Sequence, residues 1–417
     1  MSPFRDKRFR ALVIGQAVNG IGSWCALVAI WGYAAERFDA EPWQVALLGL
    51  TWTLPGALLG PFAGIPTDRL DPRRVLIAAD IGAAVFALAM AASNTYWALV
   101  LAGTFQSFAK SFAQPAFSAL APRIVADEQL VRANALLSTS MQLSIAVGPL
   151  LGAVAIETMG ASEAFIIDAL TYMIGVAVVV PLKLSVIHRG DRGSVIEEAI
   201  EGIRVLRARP AVMRLFGVAT GCYLLWGSGI TLEPLYVREV LHRTPATFAL
   251  LQTAFGIMMV LCGLLVGRIG DRVSNVWVLG VGSIVSGLGA ALYLATPWVG
   301  VAFIGIGIWG AATPFFATPF RTMLQRSTPV HTHGRVFAVD ETLRNWAMAI
   351  ATGSAGLAFT AFGARSSGLL YGALPIIGGL VAFGAGSRLR RVVETGPSPE
   401  YSPGIDAGAV AVVPGDL

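Results

Sequence analysis

The chain has 417 residues, of which 55% are hydrophobic and only 13% are charged, with a mean hydropathy of +0.68. Soluble domains carry about a quarter charged residues, so this composition excludes an ordinary soluble protein. The net charge of +5 could belong to a nucleic-acid-binding protein. However, the basic residues lie between long apolar segments, and we interpret them as a signal of membrane orientation.

Twelve apolar segments are long enough to cross a bilayer as helices, which takes about 20 residues each. We predict spans at residues 9–34, 43–66, 75–95, 97–122, 133–157, 162–183, 211–237, 246–267, 276–296, 298–320, 342–363 and 367–387. The first run is too long for the apolar part of a signal peptide, so we interpret it as an uncleaved span. With the N-terminus in the cytoplasm, 25 of the 30 Lys and Arg residues fall on the inner side, which predicts that both termini are cytoplasmic.

A charged cassette follows the second predicted span and occurs again after the eighth. Gly64-x-x-x-Asp68-Arg69 returns 203 residues later as Gly267-x-x-x-Asp271-Arg272. Two other landmarks keep nearly the same offset, namely Arg132 with Arg335 and Pro115 with Pro319. The repeat predicts two six-span halves, residues 1–184 and 211–390, around a central site.

The residue types of the cassette suit a conformational latch. A carboxylate between guanidinium groups at a helix end makes charge-assisted hydrogen bonds, and such bonds bias a two-state equilibrium if they form in one state only. We therefore predict a latch made of Gly64, Asp68, Arg69, Arg73, Arg74, Asp80, Gly267, Asp271 and Arg272. The alternative is that the arginines only set the topology and the aspartate is incidental.

The fourth predicted span carries a polar stripe. Gln106, Lys110 and Gln114 are spaced i, i+4, i+8 and so lie on one helical face. A charge near the bilayer midplane costs about 2.5–3.5 kcal/mol, so Lys110 should face a cavity or a partner. We predict that these three residues bind an anionic group of a cargo, or that Lys110 is half of a proton-linked pair. The alternative is a lysine held by a structural carboxylate.

The fifth span contains the run Gly148-Pro149-Leu150-Leu151-Gly152-Ala153, with Ser144 one turn before it. Small residues allow close helix packing and proline bends a helix. With this run and the repeated cassette, the chain resembles the major facilitator superfamily. Residues 115–121, 132–135 and 334–337 make it similar to the drug/proton antiporter branch, which includes macrolide and enterobactin exporters. The resemblance implies an all-α membrane protein of twelve transmembrane helices in two six-helix halves, with an antiporter-like kink at Gly148, Pro149 and Gly152. The alternative is a kink that serves packing alone.

The resemblance also implies a cavity lined by spans one, four, seven and ten. The further cargo-binding candidates are Asn19, Trp24, Trp226 and Trp309, since aromatic and amide groups suit a partly apolar small molecule. Each aromatic residue alone is as well explained by packing or lipid contact. Asp168 and Glu233 are the candidates for proton coupling, and Glu233 is the better placed because span seven lines the cavity.

Residues 185–210 join the halves, and 391–417 form a tail rich in Pro and Gly. In the linker, Ile196, Ala199, Ile200, Ile203 and Leu206 recur at helical spacing, which predicts an amphipathic helix on the inner membrane surface. We interpret it as a tether, with a regulatory role as the alternative. The tail is predicted to be disordered.

The resemblance implies a secondary transporter in a bacterial cytoplasmic membrane, monomeric, which exports a small amphipathic molecule in exchange for protons. The cargo would be a drug, a siderophore or another natural product. The alternatives are a lipid or metabolite carrier of the same fold, or a membrane sensor without transport. The sequence has no nucleotide-binding loop and no metal-ligand spacing, so we predict no enzyme, no cofactor and no metal. We expect protons and the lipid bilayer, but no nucleic acid, as partners.

Overall fold

The computed structural model describes residues 3–60, 62–126, 129–182, 204, 206–207, 210–270, 276–328 and 332–384. Within these residues the chain is helical and contains no strand. The helices are α1 (Lys7–Phe38), α2 (Pro42–Leu59), α3 (Pro72–Ala91), α4 (Tyr96–Leu120), α5 (Leu130–Thr158), α6 (Ala161–Val179), α7 (Pro210–Glu239), α8 (Pro245–Ile269), α9 (Val276–Ala295) and α10 (Val299–Arg326). The stretch His333–Gly384 breaks at Gly363, where φ is +76°, and we label its parts α11 (333–362) and α12 (364–384).

The predicted fold class, twelve helices in two sets of six, is confirmed. Nine helical stretches among the described residues are long and apolar enough to cross a membrane, and His333–Gly384 counts as one of them. The two largest differences from the predicted boundaries are at α2 and α11. The second helix ends at Leu59 and not at 66, because the chain turns and then forms the short helix Ile65–Arg69. Helix α11 begins at His333, nine residues before the predicted 342. The tail lies outside the described residues, as does the linker helix apart from Arg204, Leu206 and Arg207.

The backbone repeats itself at the offset of 203 residues seen in the cassette. Asp39 after α1 and His242 after α7 are 203 apart, and they are the two described non-glycine residues with positive φ, +42° and +48°. This left-handed conformation ends a helix. The following helices, α2 and α8, both begin with proline, Pro42 and Pro245, whose fixed φ suits a first helical turn.

Two other features recur at the same offset. The Tyr33 hydroxyl donates to the Ser93 carbonyl at 3.0 Å, and the Tyr236 hydroxyl donates to the Thr296 carbonyl. Gly160, between α5 and α6, has φ +117°, and Gly363, between α11 and α12, has φ +76°. The two halves are therefore copies of one six-helix unit, and residues 203 apart can be compared directly.

The most extensive contacts between the halves are two helix crossings. Helix α5 packs on α8, and α2 packs on α11 and α7. The helices come very close there: a Cβ added to Gly256 would lie 2.6 Å from Ala146 Cα, and one added to Gly356 would lie 2.5 Å from Ala46 Cβ and 3.0 Å from the Pro42 carbonyl oxygen. Small residues permit this approach between membrane helices.

The two ends of the bundle differ in their cores. At the end that carries residues 38–42 and 239–245, which we call the closed end, one apolar cluster joins both halves; it includes Trp31, Leu48, Leu232, Phe248 and Tyr293. At the other end, which carries the short helix Ile65–Arg69 and which we call the open end, each half has its own core. Phe9, Leu12 and Leu120 belong to one of these, and Leu215, Phe216 and Met323 to the other.

Candidate functional site

Lys110 lies in the interior of the first half, where it contacts two neighbouring helices. It is half-buried in α4. Its Nζ donates to Ser23 Oγ of α1 at 3.3 Å and lies 4.3 Å from the ring centroid of Trp52 in α2. At this distance the ammonium is stabilised by the indole face, by about 1–2 kcal/mol where water is scarce.

Two buried carboxylates accompany Lys110. Asp168 of α6 is completely buried and accepts a 2.9 Å hydrogen bond from Gln106 Nε2 of α4. Asp80 of α3 is 3% exposed. Both carboxylates lie near enough to influence the Lys110 ammonium electrostatically, and among the described residues neither is within ion-pair distance of it. The Oδ1 atom of each is buried without a hydrogen-bond partner among the described residues.

The Asp80 carboxyl lies beside the Asn19 amide. A Cβ added to Gly175 of α6 would lie 3.3 Å from Asp80 Oδ2 and 3.9 Å from Asn19 Nδ2, so the absence of a side chain at Gly175 leaves room for both. Close by, Ser23 Oγ and the Tyr172 hydroxyl are 2.9 Å apart. We call Asn19, Ser23, Asp80, Gln106, Lys110, Asp168 and Tyr172 the polar cluster.

Sequence reasoning found part of the polar cluster. Asn19, Gln106 and Lys110 were predicted as cargo-binding residues, and they lie together. Gln114, on the same stripe of α4, is exposed. The structure corrects the placement of Asp80, which was expected among the latch residues. It lies with Asn19 and Lys110, because α3 begins at Pro72 and Asp80 is therefore eight residues, about 12 Å, inside the helix.

The candidates of the second half form a separate group. Trp226 of α7 is 36% exposed and packs edge to face on Phe255, which packs edge to face on Trp309 of α10. Trp309 is 3% exposed, so Trp226 offers the larger accessible surface. Glu233 of α7 is 5% exposed and accepts a 3.3 Å hydrogen bond from the Tyr293 hydroxyl. Among the described residues, no cation lies within ion-pair distance of its carboxylate.

The glycines of the fifth-span run are packing residues of the first half. A Cβ added to Gly148 would lie 2.4 Å from Trp24 Cβ, and one added to Gly152 would lie 3.0 Å from Cys25 Cα. Helix α5 therefore touches α1 directly at both positions. Ser144, one turn earlier, donates to the Ala17 carbonyl of α1 at 3.1 Å. Trp24 thus packs on α5, beside the Pro149 position.

Those of the other predicted latch residues that the structure describes lie at the open end. Gly64 precedes the short helix, Arg69 and Arg74 are exposed, and Gly267 is in α8. Arg73 donates through Nε to the Val179 carbonyl at the end of α6, at 3.2 Å, a contact within the first half. The side chain of Asp68, and Asp271 and Arg272, lie outside the described part of the chain. The latch remains a prediction.

A contact between the halves at the closed end was not predicted. Arg238, at the end of α7, donates through Nη1 to the Ala40 carbonyl of the first half at 2.8 Å. Its Nη2 lies 3.7 Å from Asp39 Oδ1, and its Nε donates to Glu239 at 2.7 Å. We call Arg238, Asp39 and Ala40 the clasp. The sequence did contain a signal, since Arg238 is among the few arginines on the outer side in the predicted topology.

The comparisons with known proteins cover most of the chain. The family described as transmembrane secretion effector matches residues 1–396. Macrolide efflux protein A of Streptococcus pyogenes is 24% identical over 355 residues, which cover 82% of this chain and 87% of that relative. The protein of the same name from Enterococcus faecalis is 24% identical over 319 residues, 74% of this chain and 97% of the relative.

The fold also matches solved transporters. A bacterial homologue of the human lysosomal transporter Spinster, in an inward-facing and occupied conformation, superposes with a TM-score of 0.72 at 14% identity. The match covers 97% of this chain and 100% of that structure. At this identity the match shows a shared fold and carries no information about cargo.

Proposed function

The chain belongs to the transmembrane secretion effector family of major facilitator transporters, and we propose that it exports a small amphipathic molecule in exchange for protons. As a transporter of this superfamily it is not an enzyme. In this proposal the chain is a monomer in a bacterial cytoplasmic membrane, with both termini in the cytoplasm. It works by alternating access around a central cavity.

The two unlike ends of the bundle support alternating access. The halves share one apolar core at the closed end and have separate cores at the open end, as expected for one of two states that differ by rocking of the halves. The predicted topology assigns the open end to the cytoplasm. In that orientation the structure is an inward-facing state, ready to take up a cargo from inside the cell.

The observation that carries proton exchange is the polar cluster. An ammonium and two carboxylates are held inside a six-helix unit, where charges are costly and typically functional. Asp168 is the first proton-coupling candidate, because it lies with Lys110 and Gln106. Glu233 is the second candidate. It is a buried carboxylate of the other half that accepts a hydrogen bond from a hydroxyl group, and no cation among the described residues lies within ion-pair distance of it.

The cargo candidates support a molecule with both apolar and polar parts. Trp226 offers an accessible aromatic surface on the second half, and Lys110 with Gln114 offers polar groups on the first half. Because two relatives are named as macrolide efflux proteins, macrolides come first among the cargos to be tested.

The test uses inverted membrane vesicles that are acidified by respiration. Macrolides, dyes, phenicols and siderophores are added singly while the internal pH is followed. We expect one compound to release protons from the vesicles, and we expect Asp168→Asn or Glu233→Gln to abolish this release. If no compound acts although the purified protein is folded, proton-coupled export is wrong, and a lipid or metabolite carrier or a sensor becomes the better interpretation.

A further inference from the structure

The two copies of the six-helix unit differ in charge at the polar cluster. Asn19 and Asp80 correspond, at the offset of 203, to Cys222 and Ser283, and this pair is also in contact, with Cys222 Sγ 3.8 Å from Ser283 Oγ. Asp168 corresponds to Tyr371 in the same way. The second half thus builds the same unit with uncharged residues at these positions, so the fold itself does not require the carboxylates.

Lys110 also lacks a charged counterpart. It corresponds to Thr313 at an offset of 203, or to Pro314 at the offset of 204 that relates the prolines of α4 and α10. All three charges of the polar cluster are therefore specific to the first half. Charged groups that a duplicated scaffold does not need, at an energetically costly depth, point to a function.

The cluster has one carboxylate more than it has cations. Lys110 can neutralise Asp80 or Asp168, but not both. The groups that face Asp80 are Asn19 from α1, Lys110 from α4, and Tyr172 and Gly175 from α6. Only Lys110 among them is a cation, so Asp80 has no second positive charge beside it. The Oδ1 atoms of Asp80 and Asp168 are buried without a hydrogen-bond partner among the described residues, so each can bind a proton or accept a further hydrogen bond.

We infer that Asp80 is a second proton-binding carboxylate of this cluster, and that Lys110 is shared between Asp80 and Asp168 as their internal counter-ion. This inference rests on the proposed proton exchange and adds a residue that sequence reasoning had assigned to the latch. A proton from water binds to a carboxylate oxygen and leaves the cluster neutral, with Lys110 paired to the other carboxylate. When the proton returns to water on the opposite side, Lys110 again lies between two anions.

The cluster then exchanges one proton per cycle, and the loss of either carboxylate removes that proton. In proteoliposomes with the membrane potential clamped to zero by potassium and valinomycin, each exchanged proton changes the steady-state cargo ratio tenfold per pH unit of gradient. With a macrolide as the cargo, we expect Asp80→Asn to lower this ratio about tenfold at a gradient of one unit. Transport down a cargo gradient should persist, because the cluster of Lys110 and Asp168 is neutral without a proton.

The control variants come from the second half and from the same position. Ser283→Ala, at the position equivalent to Asp80, should leave the cargo ratio unchanged, and Asp80→Glu should restore most of it. If Asp80→Asn retains the wild-type ratio while Asp168→Asn loses it, the inference is overturned but the proposed function stands. If the wild-type protein shows no dependence on the pH gradient, the proposed function itself fails.

A second measurement covers the case in which Asp80→Asn does not fold. Asn19→Ala keeps every charge and removes the amide beside Asp80. The proton should then be held more tightly, so we expect the pH of half-maximal export to rise, whereas Cys222→Ala at the equivalent position should not shift it. An unchanged pH profile in Asn19→Ala, or a requirement for sodium in place of a pH gradient, would overturn the inference.

Discussion

Arg238 is the residue whose removal should most directly shift the balance between the two states. The hydrogen bond from Arg238 to the Ala40 carbonyl is 2.8 Å long and has a charged donor, a type worth about 1.5–3 kcal/mol. The Arg238 side chain is 30% exposed, so we take the lower value, about 1.5 kcal/mol. The pair with Asp39 adds little, because the atoms are 3.7 Å apart and the Asp39 side chain is 97% exposed. Arg238→Ala should therefore raise the population of molecules in which the closed end has opened about tenfold.

Double electron–electron resonance can separate the contribution of the Arg238–Ala40 hydrogen bond from that of the Arg238–Asp39 pair. Spin labels at the exposed positions 95 and 300, one on each half at the closed end, report the separation of the halves. Cys262 is replaced by alanine, while Cys25 and Cys222 are buried and are kept. We expect a larger long-distance fraction in Arg238→Ala and less than a twofold change in Asp39→Ala. Equal effects of the two variants, or no effect of Arg238→Ala, would refute the reasoning.

Three further predictions concern the cluster and the packing glycines. Lys110→Ala leaves two buried carboxylates without an internal cation, so export measured in vesicles should fall at least tenfold. The control Lys7→Ala, at the start of α1, should transport normally. Equal export by the two variants would contradict a role for Lys110. Gly148→Ala places a Cβ 2.4 Å from Trp24 Cβ, and thermal unfolding in detergent should show a destabilisation of about 1–3 kcal/mol. Gly256→Ala forces apart the backbones of α5 and α8 and should lower both the melting temperature and the export rate. Gly217→Ala, which meets no atom within 4 Å, is the control for both glycine variants, and a loss as large in this control would show that the contacts are not the cause.

The sequence predicted the helices well because apolar length is a strong local signal. The predicted span 276–296 matches α9 (Val276–Ala295), and 162–183 lies close to α6 (Ala161–Val179). The boundaries failed where helices continue past the apolar core, as at α11, or where glycines interrupt the end of an apolar run, as at Gly60 and Gly64.

The polar cluster was only partly predictable. The spacing of Gln106 and Lys110 shows that they share a face of α4, but not which helices lie opposite that face. Their partners come from α1, α3 and α6, up to 87 residues away in the chain, and the contacts depend on the rotation of each helix. Asp80 was assigned to the wrong end because a helix start that is misjudged by a few residues moves a side chain by about 1.5 Å per residue.

The clasp was missed for a different reason. Its strongest bond is accepted by a backbone carbonyl, at Ala40, and a carbonyl leaves no mark in the residue types. The left-handed residues Asp39 and His242 were also unpredicted, since glycine or asparagine is the usual residue in that conformation.

The glycine contacts between the halves also determine how the molecule can move. The backbones of α5 and α8 meet at Ala146 and Gly256, and Gly356 of α11 meets the Ala46 methyl and the Pro42 carbonyl of α2. No long, flexible side chain lies between the helices at either crossing. Under the proposed alternating access, the two crossings together would form the hinge about which the halves rotate. Rotation about this hinge moves the two ends of the bundle in opposite directions. The clasp at one end therefore opens in the same movement that brings the halves together at the other end.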